Sequence, residues 1–147
     1  MSKIDKIPKI LDNIHDRVKG WKDDIELNGK NIQSAIVEQA SLIAFYDQIS
    51  VEASYIVDYM EVLLKQTRAE RIKFIKDNFA KDYTDTAINK VVEGDKEFVE
   101  VNMMLLEAKE CYEKCKSIVD AFKQRGYCLN NLVKIYENEL DNITIRM

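Results

Sequence analysis

Residues 98–122 read FVEVNMMLLEAKECYEKCKSIVDAF, and this stretch decides the fold class. Its apolar residues recur at alternating spacings of three and four, at Phe98, Val101, Leu105, Ala108, Tyr112, Cys115, Val119 and Phe122. That spacing keeps one apolar seam on one side of an α-helix for about seven turns. The segment therefore predicts a long amphipathic helix whose seam packs against another helix.

A second long helix is predicted upstream, because neither glycine nor proline occurs from Asn31 to Phe79. Apolar residues hold one face of this segment, with Gln39 and Ser50 as polar interruptions. Unbroken, the helix would be about 70 Å long, whereas a compact chain of this size has a radius of gyration of about 15 Å. Either the helix breaks, or the molecule is elongated and its seam needs a partner.

Single proline, glycine, asparagine and aspartate residues predict where the helices begin and end. Pro8 suits the first turn of an N-terminal helix, which Gly20 interrupts. Asn28-Gly29 predicts a turn, and Asn31 and Asp95 are expected to cap the two long helices. Gly126 predicts the end of the second one. We interpret the chain as one helical domain (1–147), with an N-terminal helical extension (1–29), a long helix (30–81), a loop (82–94), a heptad helix (95–126) and a short helix with a tail (127–147).

The repeated seams predict an all-α, elongated protein that assembles as a homo-oligomer. The expected interface is the seam of residues 98–122, represented by Phe98, Val101, Leu105, Tyr112, Val119 and Phe122. The mixture of residue types at these positions specifies no stoichiometry.

Composition excludes several classes of protein. The chain has 147 residues and a net charge of −4, so a globally basic nucleic-acid coat is excluded, although a local basic face is not. Its three cysteines and one histidine form no zinc pattern, so we expect no metal and no cofactor. No stretch reaches the roughly 20 apolar residues of a membrane span, and we expect a cytoplasmic protein. Neither a phosphate-cradling glycine loop nor a nucleophile with a nearby base is recognisable, so we expect no catalysis.

The most basic segment is 65–81, which holds six basic residues against Glu70 and Asp77. Phe74, Phe79 and Tyr83 are interleaved with these cations, and single-stranded DNA is held by cations along its phosphates and by aromatic faces under its bases. The candidate nucleic-acid ligands are Lys65, Arg68, Arg71, Lys73 and Lys76, with Lys123 and Arg125 from the end of the second long helix.

A structural reading of the same residues remains open. The cations can form a solvated helix face, and Phe74 and Phe79 can belong to the core. Lys123 and Arg125 can equally stabilise the C-terminus of their helix.

The C-terminal third resembles the UvsY family, the recombination mediators of tailed phages. The likeness lies in the cap Asp95-Lys96-Glu97, the long amphipathic helix, and then Arg125-Gly126-Tyr127 before a short helix, with Lys123 to Tyr136 fitting the outline. Lys65 to Phe79 is similar to the family's run of basic residues followed by aromatics. The resemblance covers roughly Ile36 to Leu140, and it rests on pattern and on a few residues.

The resemblance implies a small helical protein that forms a ring-like homo-oligomer and binds single-stranded DNA weakly. It also implies contacts with the phage recombinase and the phage single-strand-binding protein, which the recombinase replaces with the mediator's help. A phage-encoded protein would act in the host cell cytoplasm. The alternative function is a phage helical interaction protein, an inhibitor or a scaffold, without nucleic-acid binding.

Overall fold

The structure is a computed structural model that describes residues 3–79, 83–137 and 145. Within these residues the fold is all-α, as predicted. A 3₁₀ turn (Lys3–Lys6) precedes five helices, which are α1 (Ile7–Val18), α2 (Trp21–Ile25), α3 (Ile32–Asn78), α4 (Asp85–Glu93) and α5 (Lys96–Ile135).

The long helix α3 runs for 47 residues without a break. It pairs with α5 in an antiparallel hairpin, so that Tyr46 near its start stacks on Phe122 and Ile75 near its end packs with Phe98. The short helix α4 turns the chain at the tip of the hairpin, where α3 ends and α5 begins. The molecule is therefore elongated, and the partner of each long helix is the other long helix of the same chain.

The first helix, α1, completes the core by packing along both long helices. Ile7, Leu11, Ile14 and Val18 are buried, at the positions that the 4-3-4 spacing predicts. An ion pair between Arg17 and Glu52 ties α1 to α3. The break between α1 and α2 lies at Gly20, as expected.

The predicted oligomerisation seam is wrong as an interface between subunits. Phe98, Val101, Leu105, Val119 and Phe122 are each at most 5% exposed within a single chain, and Tyr112 is half-buried in the same core. Sequence periodicity shows that a seam needs a partner, but it does not distinguish a second copy from another helix of the same chain. Here α3 and α1 supply the partner surface.

The predicted loop at 82–94 contains a helix. Thr84 caps α4 by accepting a hydrogen bond from the Ala87 N–H, and Ile88 and Val92 are buried against the hairpin tip. The segment is too short to show a clear period of its own, but its two buried residues are four apart and share one helical face.

The predicted helix end at Gly126 is also wrong, because α5 continues to Ile135. The first part of the predicted short helix and tail (127–147) therefore belongs to α5, and residues 138–144, 146 and 147 lie outside the described residues. A Cβ atom at Gly126 would lie 3.1 Å from the Gln39 Nε2 atom. The close approach of the Gln39 side chain of α3 therefore explains why position 126 is a glycine. This glycine does not end the helix.

Other local predictions are confirmed. Gly29 has a φ of +80°, which suits the predicted turn. The Asn31 side chain accepts hydrogen bonds from the N–H groups of Gln33 and Ser34, and Asp95 accepts from those of Glu97 and Phe98. Among the described helices, none combines the length and the apolar character that crossing a membrane requires.

Candidate nucleic-acid interface

The predicted nucleic-acid ligands lie at opposite ends of the hairpin. Arg125 contacts Gln39 near the start of α3, whereas Arg71 contacts Asp95 at the tip. Residues 39 and 71 are 32 positions apart on one straight helix, or about 48 Å. The seven predicted residues therefore do not form one site.

Arg125 is a structural residue, and its prediction as a nucleic-acid ligand is wrong. It is 3% exposed, with Nη1 donating to Gln39 Oε1 at 2.7 Å and Nε donating to the Ile25 carbonyl at 3.3 Å. Its Nη2 atom lies 3.6 Å from Glu38 Oε2. Burial lowers the pKa of Arg125, while the nearby carboxylates of Glu38 and Asp24 raise it. This guanidinium joins α5 to α3 and to the end of α2.

Two sequence signals could have revealed the burial of Arg125. It follows Phe122 by three residues and precedes Leu129 by four, so it falls on the spacing of the buried face. Gln39 interrupts the apolar face of α3 and forms the complementary polar position. A charged residue on one seam and a polar residue on the other are typical of a buried hydrogen-bonded pair.

Lys123 is exposed, but it lies near the base of the hairpin and is separate from the tip. Its described ion-pair partner is Asp120, at 3.9 Å on the same helix. It therefore remains a solvent-facing cation, with the exposed Tyr127 four residues further along the same helix.

The two arginines of α3 are held against the start of α5. Arg71 forms an ion pair with Asp95 at 3.0 Å, and its guanidinium lies 4.4 Å from the centre of the Phe74 ring. Arg68 lies 4.8 Å from the centre of the Phe98 ring. These contacts join the tip and leave both arginines half-buried. Both are available to a ligand only in part.

The three lysines of the segment face solvent together. Lys65, Lys73 and Lys76 fall within about 80° of a helical wheel, and Lys65 and Lys73 are about 12 Å apart along the axis. Lys65 and Lys73 have no ion pair within the described residues, and Lys76 lies 3.7 Å from the exposed Asp85. We name these three residues the lysine row.

Aromatic rings of the same segment are exposed, although helical spacing places Phe74 about 180° around α3 from Lys65. Phe74 is 43% exposed and Phe79 is 69% exposed, with ring centres 6.1 Å apart at an angle of 62°. Tyr83 is also exposed. The sequence allowed Phe74 and Phe79 to belong to the core, but the hairpin ends just where they occur, and none of the described helices covers them. Exposed aromatic rings and exposed lysines in one segment can act together on a single strand, with bases stacked on the rings and phosphates against the lysines.

Comparison with protein-family models, curated proteins and solved structures finds no match for this chain. Arg125-Gly126-Tyr127 lies inside α5, so the helix break implied by the resemblance to the UvsY family does not occur here. No group of three or more metal-ligating side chains is found among the described residues.

Proposed function

We propose that this protein is a non-catalytic accessory protein that binds single-stranded DNA weakly at the tip of its hairpin. The observation that carries the proposal is the exposed pair of Phe74 and Phe79 at the end of the helical segment that holds the lysine row. In this role the phosphates run along Lys65, Lys73 and Lys76, and a base stacks on Phe79. The resemblance to the UvsY family gives the proposal its context, which is loading a recombinase onto strands covered by a single-strand-binding protein.

The small number of free cations fits weak binding. Each phosphate neutralised on a single strand contributes about 0.7 to the slope of log affinity against log salt concentration. Three lysines predict a slope of about 2, so the affinity falls only moderately as salt is raised. Such a protein would occupy a strand transiently, which suits an accessory protein that must leave the strand to a recombinase.

The test is the binding of a fluorescent single-stranded oligonucleotide at low salt, measured by anisotropy. The double variant K65E/K73E is expected to weaken binding at least tenfold and to lower the salt slope by about 1.4. F79A is expected to weaken binding by about 1–3 kcal/mol, the range for one stacked base.

Lys123→Glu is the control, because it makes one of the same lysine-to-glutamate changes, half the charge change of the double variant, on an exposed lysine at the far end of the hairpin. It is expected to leave binding almost unchanged. Equal losses for Lys123→Glu and for the lysine-row variant would show a general effect of net charge, and the proposed site would be wrong. An oligonucleotide that does not bind the wild-type protein would overturn the function itself.

The second candidate is a helical interaction protein that does not bind nucleic acid. It is favoured by one observation, an apolar stripe on the outer face of α3 that the described part of the chain leaves uncovered. A scaffold or inhibitor would use such a stripe and would not require the lysine row.

A further inference from the structure

The outer face of α3 carries exposed apolar side chains along its first two thirds. Val37 is 76% exposed, Val51 52%, Tyr55 74% and Val62 65%. The exposed positions 40, 44 and 69 on the same face are alanines. We call this face, from Val37 to Val62, the outer stripe, and its length along the helix is about 38 Å.

The spacing of the outer stripe is that of a second helix-packing seam. Val37, Ala44 and Val51 are seven residues apart, as are Tyr55, Val62 and Ala69. Together these positions alternate by threes and fours around polar layers at Ser41, Gln48 and Asp58. The α3 helix therefore has two seams, one covered by α5 and one that faces solvent.

Charge along α3 is divided between its two ends. Segment 37–62 contains five carboxylates and no lysine or arginine, whereas segment 63–81 contains six basic residues and two carboxylates. Two copies side by side in parallel would place acid against acid and base against base. Two antiparallel copies would place the basic segment of each against the acidic segment of the other.

We propose that a second copy of this chain covers the outer stripe, with the two α3 helices antiparallel. The stripe is apolar enough to need a partner, and the division of charge fits this same helix in the opposite direction. Both copies use the same surface, so the contact is isologous and each pair of contacting residues occurs twice, once on each side of a two-fold axis. This dimer uses a face of the molecule other than the α5 seam.

The helical repeat of about 3.6 residues determines which residues of the two α3 helices face each other. Asp47 and Lys65 are 18 residues apart, or five turns, and lie on one line along α3. An antiparallel pair centred near Ile56 and Val57 places Asp47 of each copy against Lys65 of the other. The same register brings Val51 of each copy to Val62 of the other. A shift of one heptad toward the N-terminus would place Asp47 of each copy against Asp58 of the other, so charge selects the first register.

The first test is the assembly state, measured by sedimentation equilibrium without nucleic acid. The wild-type protein is expected to form dimers, and V51E/Y55E is expected to weaken dimerisation by more than tenfold. Both residues are exposed, so circular dichroism should show an unchanged helix content. The matched control is Met103→Glu, since Met103 is 53% exposed on the outward face of α5. It should not change the dimer.

The second test exchanges the charges. Asp47→Lys alone and Lys65→Glu alone are each expected to weaken dimerisation by about tenfold, because each variant places like charges together twice. An equal mixture of the two variants is expected to form a heterodimer at wild-type affinity, since both matches are then of opposite sign. In a parallel dimer each residue would face its own copy, so like charges would meet in the wild type and in both variants. Each variant alone would then dimerise with wild-type affinity.

Three results would overturn the proposal. The first is a wild-type protein that stays monomeric up to about 1 mM. The second is a Met103→Glu variant that loses as much dimer affinity as V51E/Y55E. The third is a mixture of Asp47→Lys and Lys65→Glu that does not regain the wild-type dimer affinity. None of these measurements contains an oligonucleotide. Lys65 serves in both proposals, so V51E/Y55E, which leaves the lysine row intact, separates dimerisation from DNA binding.

Discussion

Individual polar residues fix the base of the hairpin. Arg125 joins three chain segments through Gln39, Glu38 and the carbonyl of Ile25. Nearby, the Tyr46 hydroxyl donates to Asp24 Oδ2 at 2.6 Å and ties α3 to α2. Removing one partner from such a contact leaves the other unsatisfied in a desolvated place, which costs about 1–3 kcal/mol. These contacts therefore hold the N-terminal elements to the two long helices.

The buried hydroxyl of Tyr46 predicts that the protein loses stability at alkaline pH. Its ring is 2% exposed, and burial together with the hydrogen bond to Asp24 raises its pKa well above 10. The unfolded chain ionises near pH 10 and the folded chain does not, so the stabilising contribution is complete below pH 10 and is lost above it. We expect the free energy of unfolding to fall above pH 10 by up to about 1.4 kcal/mol per pH unit from this residue.

The measurement is urea unfolding from pH 7 to pH 11 for the wild type and Tyr46→Phe. The variant should be less stable by about 1–2 kcal/mol at pH 7 but should decline less steeply above pH 10. Groups that titrate alike in both proteins cancel in the comparison. Parallel pH curves would show that Tyr46 ionises as freely in the folded state as in the unfolded one.

At the scale of elements, one side chain sets how closely α3 and α5 approach. Gln39 is held at both ends, because its Nε2 atom donates to the Phe122 carbonyl at 2.7 Å and its Oε1 atom accepts from Arg125 at 2.7 Å. Gly126 gives it room, since a Cβ atom there would be 3.1 Å away. The glycine and the glutamine are therefore a matched pair across the two helices.

This pairing predicts that the effect of Gly126→Ala on the free energy of unfolding changes sign when Gln39 is replaced by alanine. Alanine favours a helix over glycine by about 1 kcal/mol, but the fixed amide opposes the new methyl group. We expect Gly126→Ala to destabilise the wild type by about 1 kcal/mol and to stabilise a Gln39→Ala protein by about 0.5–1 kcal/mol.

Urea unfolding of the four proteins in this double-mutant cycle measures the coupling. Gly94→Ala serves as a control, because the nearest atom to its Cβ would be the Val91 carbonyl at 3.8 Å, in open packing. Its effect should be independent of Gln39. The same sign for Gly126→Ala in both backgrounds would contradict the packing explanation.

The whole molecule is elongated because α3 continues unbroken for 47 residues. A helix of 47 residues is about 70 Å long, and a rod of that length has a radius of gyration of about 21 Å. A compact chain of this size would give about 15 Å. We expect dilute monomer to scatter X-rays with the larger radius and a maximum dimension of at least about 70 Å.

Small-angle scattering over a range of concentrations checks both shape and assembly. An antiparallel dimer should thicken the rod without doubling its length, since the two α3 helices overlap along most of their extent. V51E/Y55E is the monomeric reference. A radius near 15 Å in that variant would mean that the hairpin folds back on itself.

Local chemistry explains which features were predictable. The caps at Asn31 and Asp95, the Gly29 turn and the break at Gly20 depend on a few neighbouring residues, so the sequence predicts each of them. The buried face of α5 follows from helical spacing alone. The helix α4 was missed because nine residues give too few turns to establish a period.

The candidate site was predictable only in part. The lysine row and its aromatic neighbours were recognised from composition, but their separation from Lys123 and Arg125 depends on which end of the hairpin each residue occupies. Arg68 and Arg71 are engaged with α5 because the tip brings Phe98 and Asp95 to them. Such contacts join residues about 25–30 positions apart and leave no local signal.

The sequence by itself determined that this chain is all-α, where its two long helices begin, and that each of them buries a stripe. These features arise from spacing and capping, which act over one or two turns. Only the tertiary structure decided that α5 covers the inner face of α3, that Arg125 is internal and that the described residues leave the outer stripe uncovered. The physical reason is that burial depends on the surface opposite a residue, and that surface lies far away in the chain.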